Sequence, residues 1–341
     1  MRAFRYSDSR GPDRLRPSDE PCPVPQRSEV EVSVNHVSLN YRDIAIARRE
    51  YIHPATPGLI PCSDACGVVM SVGSDVHTLK VGDRVISAFH ATWFGGRQRP
   101  VAPSSSYGSG VDGWLAERRI VSQEALVKLP DGISSEDAST LPCAAATAWN
   151  ALNGDHPVRA GDTVLTLGTG GVSIFAIQLA KIMGARVIAT TSTDDKARFL
   201  SMLGVDEVVN YRDTPAWGTH VRAITGGQGV DRVVEVGGAG TVGDSLDAVA
   251  RGGEVVLIGF LAGSSADIDF LRLKRSEATI RSISVGDRAN LETLVRAVDT
   301  TKLKPIVDRV FDFEQAQSAF SCLDAARHRG KIVIRVNARD T

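Results

Sequence analysis

Gly168-Thr169-Gly170-Gly171-Val172-Ser173 follows a short apolar run, Val164-Leu165-Thr166-Leu167, and opens a stretch with apolar residues at 172, 175, 176, 179, 180 and 183. That spacing fits one face of a helix. A glycine turn that leads into a helix can cradle a pyrophosphate, because the first turn offers unpaired backbone N–H groups and the positive end of the helix dipole. Gly168 permits the tight turn and Gly170 lets the backbone approach the phosphates, with Thr169, Gly171 and Val172 completing the cradle. The third glycine of G-x-G-x-x-G would stand at 173, where this chain has Ser173. An ordinary glycine-rich loop is the alternative. The flanking strand and helix patterns supply the context that the nucleotide-binding reading requires.

The next apolar run, Arg186-Val187-Ile188-Ala189-Thr190, makes a second strand after Gly184. NAD-selective folds place an acid at the end of that strand, where it accepts from the ribose 2′-hydroxyl. Here the chain reads Thr190-Thr191-Ser192-Thr193, with no acid before Asp194. Ser192 and Lys196 offer a hydroxyl and a cation to a 2′-phosphate, so NADP(H) is the expected cofactor. A solvated helix face is the alternative for Lys196, and Asp194 and Asp195 are expected to cap and charge the helix start.

The elements that must position these residues alternate beyond position 130. Strand patterns at 207–209, 232–236, 254–258 and 280–285 are separated by helical patterns at 194–203, 216–225 and 241–251. Such alternation predicts a parallel, doubly wound sheet. Gly237, Gly259 and Phe260 stand at C-terminal strand ends, where ligands bind in such sheets. Residues 1–130 read instead as short strands and loops, with period-two alternation in 30–34 and frequent glycine and proline, which suggests antiparallel strands rolled into a barrel. Two helical patterns, 289–300 and 314–327, precede a last strand at 331–336. Residues 88–113 form a long polar loop whose Phe89, Trp93, Phe94 and Tyr107 could wall a substrate site, or pack a loose lobe or an oligomer contact.

Composition narrows the class. Among 341 residues, 43% are hydrophobic and 23% charged, and 39 basic against 40 acidic side chains give a net charge of −1. This balance favours neither nucleic acid nor an anionic membrane, and no apolar run approaches the roughly 20 residues that span a bilayer. The five cysteines lack C-x-x-C pairs, and MRAFRYSDSRGP lacks the apolar core of a signal peptide. A cytoplasmic protein acting on a small molecule is expected.

Ordered blocks across the chain resemble the medium-chain dehydrogenase/reductases: Leu39-Asn-Tyr-Arg-Asp43, Gly67-Val-Val-Met-Ser-Val-Gly73, Val81-Gly-Asp-Arg-Val85, Leu141-Pro142 with Thr147-Ala-Trp149, the 168–172 turn, Gly229-Val-Asp231 and Gly252-Gly253. The resemblance implies an α/β protein in two parts. A GroES-like β-barrel catalytic domain would comprise 1–130 and 288–341, and a Rossmann domain with a doubly wound parallel sheet would comprise 131–287. It places Thr147, Tyr211, Gly237, Gly259 and Phe260 among the cofactor contacts. It also makes the strand near Ile280–Val285 a sheet edge that pairs across a homodimer.

Relatives with catalytic zinc hold it by Cys, His and Cys. Those places read Asn40, Ser63 and Cys143 here, and residues 88–119 lack the cysteines of a structural zinc lobe. One cysteine cannot supply the three protein ligands that catalytic zinc needs, so no metal is expected. Cys62 and Cys66 read as small buried residues rather than a metal pair. The chain therefore resembles the zinc-independent quinone oxidoreductase branch, which is zeta-crystallin-like. There Asn40 and Asp43 would line the nicotinamide and substrate site, and Tyr51 matches a site tyrosine although a second family tyrosine falls on Ala45. Tyr41, Tyr51, Asn40 or a water could supply the polar group near a carbonyl oxygen. For Tyr41 and Asp43 the alternative is a structural hydrogen bond at a helix start. The implied activity is NADPH-dependent reduction of a quinone, enone or carbonyl. An NADP-dependent alcohol dehydrogenase and a non-catalytic, crystallin-like NADPH-binding protein are the alternatives.

Overall fold

A computed structural model describes residues 1–22, 24–52, 57–98, 105–263, 265 and 268–337. The chain divides into two units, Met1–Ala146 with Gly286–Thr341, and Thr147–Val285.

The first unit opens with the paired strands β1 (Arg2–Tyr6) and β2 (Leu15–Asp19). Its spine is β3 (Glu29–Leu39), eleven residues rich in valine, which suits a pleated buried surface. Helix α1 (Tyr41–Arg48) follows at once, then β4 (Asp64–Val72), β5 (Arg84–Ser87), β6 (Arg118–Ser122), β7 (Leu126–Lys128) and α2 (Ser135–Ser139). A π-helical turn, Leu141–Ala145, leads into α3 (Ala146–Leu152), where the second unit begins.

That unit carries β8 (Thr163–Leu167), α4 (Gly171–Ile182), β9 (Arg186–Thr191), α5 (Asp194–Met202), β10 (Glu207–Asn210) and α6 (Trp217–Ile224). It continues through β11 (Val230–Glu235), α7 (Val242–Ala248), β12 (Val249–Leu257), α8 (Phe270–Ser276) and β13 (Thr279–Ser282). Its sheet runs β10-β9-β8-β11-β12-β13 with every pair parallel. Numbered within the unit this is 3-2-1-4-5-6, the Rossmann order, whose switch point lies between β8 and β11. The chain then returns to the first unit with α9 (Arg288–Thr301), β14 (Val307–Asp312), α10 (Ala316–Asp324) and β15 (Lys331–Arg335).

The first unit's sheet runs β14-β15-β3-β4-β5-β7, and β3 is long enough to hold two partners along one edge. Residues 29–33 pair with β6 and residues 36–39 with β15, while β4 takes the other edge. Among the described residues no pair joins β14 to β7, so this GroES-like barrel is partly open. Its core includes Tyr6, Leu15, Ile44, Ile46, Trp114 and Phe320, all buried. Each such aliphatic or aromatic side chain stabilises the fold by roughly 1.5–3 kcal/mol. Among the described residues no helix is long and apolar enough to cross a membrane.

The unit boundaries differ from those read in the sequence. The first falls at 146/147 rather than 130/131, because α2 packs against β3 and β4 of the first unit. The second falls at 285/286, and the Asn150 amide donates to the Val285 carbonyl at 2.7 Å within the second unit. The expected 241–251 helix stops at Ala248, because β12 begins at Val249. The expected 314–327 helix is a 3-10 turn, Phe313–Gln315, followed by α10.

A buried ion network braces the second sheet. Glu254 takes Arg232 on one oxygen and Arg281 on the other, each at 2.8 Å, and Arg281 also reaches the Asn150 amide oxygen at 3.1 Å. Burial holds Arg232 below the usual guanidinium range. Glu254→Gln keeps the shape but leaves two arginines without a carboxylate, which costs about 3–5 kcal/mol when such a pair is buried. Hydrogen exchange of the β11–β13 amides should report a loss of that size; unchanged protection would refute the role assigned to the network.

Candidate active site

The glycine turn occupies the place the Rossmann order reserves for a ligand, the C-terminal end of β8 beside the switch point. Gly168 has φ +75°, a conformation that a side chain disfavours. Thr169 is buried, Gly170 is the N-cap of α4, and Gly171 and Val172 form the first helical positions. A Cβ on Gly170 would meet no atom of the chain within 4 Å, so the space above the helix start is open. Ser173, in place of the third glycine, donates to the Leu167 carbonyl at 2.6 Å and ties the helix to the strand it leaves.

At the end of β9, Ser192 is half-buried and Thr193 caps α5, its hydroxyl accepting from the Lys196 N–H at 3.3 Å. The cap is therefore Thr193, while Asp194 and Asp195 fill the first turn. Asp195 pairs with Arg198 at 3.8 Å, and Asp194 accepts from Asn210 at 3.5 Å. Lys196 is half-buried, and no carboxylate among the described residues pairs with it. Tyr211 donates its N–H to the Thr191 carbonyl at 2.9 Å, which brings its exposed side chain to the same end of the sheet.

Glu235, at the end of β11, escaped the sequence reading. It is fully buried, and one carboxylate oxygen accepts from the Gly237 N–H at 2.7 Å, the Gly238 N–H at 3.0 Å and the Thr241 hydroxyl at 2.6 Å. The other accepts from the Ser245 hydroxyl. An ion saturated with donors can remain charged in the interior, and here it shapes the loop that carries Gly237. A charged residue inside Val233-Val234-Glu235-Val236 was the available signal. Gly259 packs so closely on this loop that a Cβ would lie 2.3 Å from the Val236 carbonyl oxygen. The glycine is thus required by the chain's own packing. Phe260 is half-buried beside it, and Thr147 is buried at the start of the unit.

In the first unit, Asn40 precedes α1 and Asp43 lies in its first turn. Asp43 is wholly buried, and its carboxylate accepts from the Asn40 N–H at 2.8 Å. The helix-start hydrogen bond weighed above is therefore present, and Asp43 acts on this cluster through Asn40. Burial pushes the Asp43 carboxyl up to about 6, and facing Arg42 pulls the other way. Arg42 is a second residue the sequence reading missed. Buried, it donates to the Tyr107 carbonyl at 2.8 Å and the Ser106 hydroxyl at 3.2 Å. Its guanidinium lies 5.2 Å from the Tyr51 ring centre and 4.7 Å from that of Phe89. Tyr51 is thus held against Arg42, while Tyr41 is half-buried on α1 with its hydroxyl pushed up by burial. Of the loop aromatics, Phe89 and Tyr107 are buried, Trp93 donates to the Gly96 carbonyl at 2.8 Å, and Phe94 is exposed. Residues 99–104 of that loop lie outside the described residues.

Beside Asn40 stands a buried charge cluster. Lys331 Nζ donates to the Leu39 carbonyl at 2.7 Å and to Asn40 Oδ1 at 2.5 Å, and lies 3.6 Å from Asp64. Asp64 accepts from the hydroxyls of Ser38 at 3.1 Å and Ser63 at 2.6 Å, and from the Cys143 N–H at 3.3 Å. The three places compared with zinc ligands therefore do converge. Their donors are an amide oxygen already bonded to an ammonium, a hydroxyl bonded to a carboxylate, and a thiol pushed up by burial. Zinc needs at least three protein ligands and a deprotonated thiol, and this set does not fit it. Among the described residues no three His, Cys, Asp or Glu side chains group for a metal. Cys62 and Cys66 are both buried.

Two family descriptions match: the alcohol dehydrogenase GroES-like domain over residues 26–131, and the zinc-binding dehydrogenase domain over 171–300. A zinc-type alcohol dehydrogenase-like protein of Schizosaccharomyces pombe is 36% identical, covering 99% of both chains. An acryloyl-coenzyme A reductase of Sulfurisphaera tokodaii is 26% identical over 92% of this chain and 94% of its own. Among solved structures, an NAD-dependent alcohol dehydrogenase is 32% identical with a TM-score of 0.89, covering 99% of this chain and 100% of its own. A mycobacterial protein complexed with NADPH is 28% identical with a TM-score of 0.82, covering 98% and 100%. The chain belongs to the medium-chain dehydrogenase/reductase superfamily, a class of oxidoreductases that use nicotinamide cofactors.

Gly170→Val fills the open space above α4 at a backbone conformation that any residue adopts. The melting temperature should hold while the dinucleotide Kd rises at least about tenfold, a loss of about 1.4 kcal/mol. A Kd within twofold of wild type would remove the turn from the cofactor site. The Asp43 carboxyl, raised on folding from an ordinary 3.8, binds protons more readily folded than unfolded. Wild-type stability relative to Asp43→Asn should therefore rise as pH falls from 6 toward 4, by at most about 2–3 kcal/mol. Urea midpoints at pH 4.5 and 7.5 measure this, and a parallel response of the two proteins contradicts it.

Proposed function

We propose that this protein is an NADPH-dependent, metal-independent reductase that delivers hydride to a quinone, an enone or another carbonyl compound. One observation carries the reading: the donor set compared with the zinc site of alcohol dehydrogenases holds a lysine ammonium, in a chain that also carries a glycine turn at the start of a Rossmann helix. When bound, NADPH would supply the hydride. The chain's own residues would bind and orient it, with the α4 start holding the pyrophosphate and the β11 and β12 ends bordering the nicotinamide. Ser192, Lys196 and Tyr211, with no acid at the end of β9, favour the 2′-phosphate over a free ribose hydroxyl. The mycobacterial relative with NADPH and the acryloyl-coenzyme A reductase support cofactor and substrate class respectively.

An alcohol dehydrogenase is the second reading, favoured by the S. pombe and NAD-dependent relatives. The two are separated by assaying chelator-treated protein with NADPH and NADH against 1,4-benzoquinone, 9,10-phenanthrenequinone and a simple enone. Turnover should favour NADPH, ignore the chelator, and lose at least about tenfold of its NADPH preference in Lys196→Glu, an effect of about 1.4 kcal/mol. Activity abolished by chelation and restored by zinc would replace this reading with the second. Tight NADPH binding without turnover would point to a binding protein.

A further inference from the structure

Glu235 reaches beyond the loop it caps. β11 lies beside β8 with Val234 opposite Thr166, and beside β12 with Glu235 opposite Leu257. The loops that leave β11 and β12, residues 236–241 and 258–263, therefore stand next to the glycine turn after β8, all within the second unit. Two backbone hydrogen bonds join them: the Ala262 N–H donates to the Gly237 carbonyl at 2.6 Å, and the Ala239 N–H to the Gly263 carbonyl at 3.0 Å. A Cβ on Gly238, at φ +82°, would lie 2.7 Å from both the Gly263 carbonyl oxygen and the Phe260 Cα. Gly240 and Leu261 are exposed and Ala239 and Phe260 half-buried, so this joined pair of loops presents a surface. Its ordering groups converge on one side chain. Two successive N–H groups and a hydroxyl meet at one oxygen of Glu235, the concave arrangement that elsewhere binds anions. Here the anion belongs to the chain itself.

We propose that Glu235 is a positioning residue for the nicotinamide half of the dinucleotide: it fills this concavity, closes the end of β11 to phosphate, and holds the two loops as a platform for an uncharged ring. This deepens the cofactor reading and rests on it. The Gly237 and Gly238 N–H groups are committed to Glu235, while the Gly238 carbonyl accepts from the N–H groups of Thr241 at 3.1 Å and Val242 at 3.0 Å. A phosphate placed here would meet a carboxylate in place of donors. The start of α4, where the space is open, has no such occupant. The two strand ends thus sort the cofactor into one register, with pyrophosphate at α4 and the ring on the platform. Glu235 touches no ligand and acts through the backbone of both loops. Its charge suits the task, because a carboxylate can hold several donors at once and does so more strongly than a neutral acceptor.

The test uses the full-length protein and two probes: NADPH, and 2′,5′-ADP, which keeps the adenosine and its phosphates but lacks the nicotinamide. In the wild type, NADPH should slow amide exchange across 258–263 by at least about threefold more than 2′,5′-ADP does. Glu235→Ala should raise the NADPH Kd at least about tenfold and leave that of 2′,5′-ADP within about twofold. Glu235→Gln keeps an oxygen toward the three donors, and the Ser245 hydroxyl can turn to accept from its NH2, so its NADPH Kd should stay within about threefold of wild type. Thr241→Val keeps the side-chain size and removes one donor, so it reports on the platform where Glu235→Ala does not fold. It should melt within a few degrees of wild type and still weaken NADPH selectively. Equal losses for the two probes in a folded variant overturn the proposal, because a merely structural role harms both. Wild-type NADPH affinity in Thr241→Val and Glu235→Ala overturns it too, as does equal amide protection by the two probes. A wild type that binds neither probe overturns the cofactor reading, and this proposal with it. One that takes NADH in place of NADPH corrects the cofactor alone, and NADH with 5′-AMP then gives the same comparison.

Discussion

Burying a lysine ammonium is expensive unless its charge is matched and its donors are used, and the first unit is arranged around meeting that requirement. Lys331 on β15 draws on the last carbonyl of β3, the amide at the entrance to α1 and the carboxylate that opens β4. Asp64 in turn collects Ser38, Ser63 and the backbone of the π-helical turn at Cys143. Strand, helix, strand and turn are thereby referenced to one ion pair. Removal of either partner leaves an unpaired charge in the core, so the cluster fixes the relative placement of its elements more strictly than apolar packing would.

The second unit solves a similar problem with the opposite sign. Glu235 is an anion at a strand end, and it gathers two backbone N–H groups and two hydroxyls into one loop. Gly259 then lets the neighbouring strand end close on that loop. Both units therefore use an ionised, saturated side chain to give shape to segments that strand pairing and helix ladders leave unspecified. Loops organised in this way can present ligand-facing groups without the entropy of flexible side chains.

Much of this was legible in the sequence. The alternation of apolar runs and helical faces pointed to the parallel, doubly wound sheet, because parallel strands and their crossovers obey few rules. Gly168 sat where a positive φ was needed. Lys331, Arg42 and Glu235 were less visible, since a charged residue in a strand or helix reads as solvent-facing until its long-range partners are known. Lys331 and Asn40 are 291 positions apart, and no local pattern connects them. The unit boundary was misplaced for a related reason: α2 has an ordinary helix start at Ser134, and only its packing on β3 and β4 assigns it to the first unit.

The return of β15 to β3 makes the second unit an insertion within the first. During synthesis the chain emerges from its N-terminal end, and residues 147–285 are complete before β15 exists. The Rossmann unit, whose pairings all lie within that stretch, can fold as soon as it has left the ribosome. The barrel must wait with half of one edge of β3 unpaired, and with Asp64 lacking the cation that neutralises it. A strand translated after the whole of the second unit is thus the one that completes the centre of the first, and a chain released before it would carry an intact nucleotide fold together with an open sheet edge exposed to aggregation.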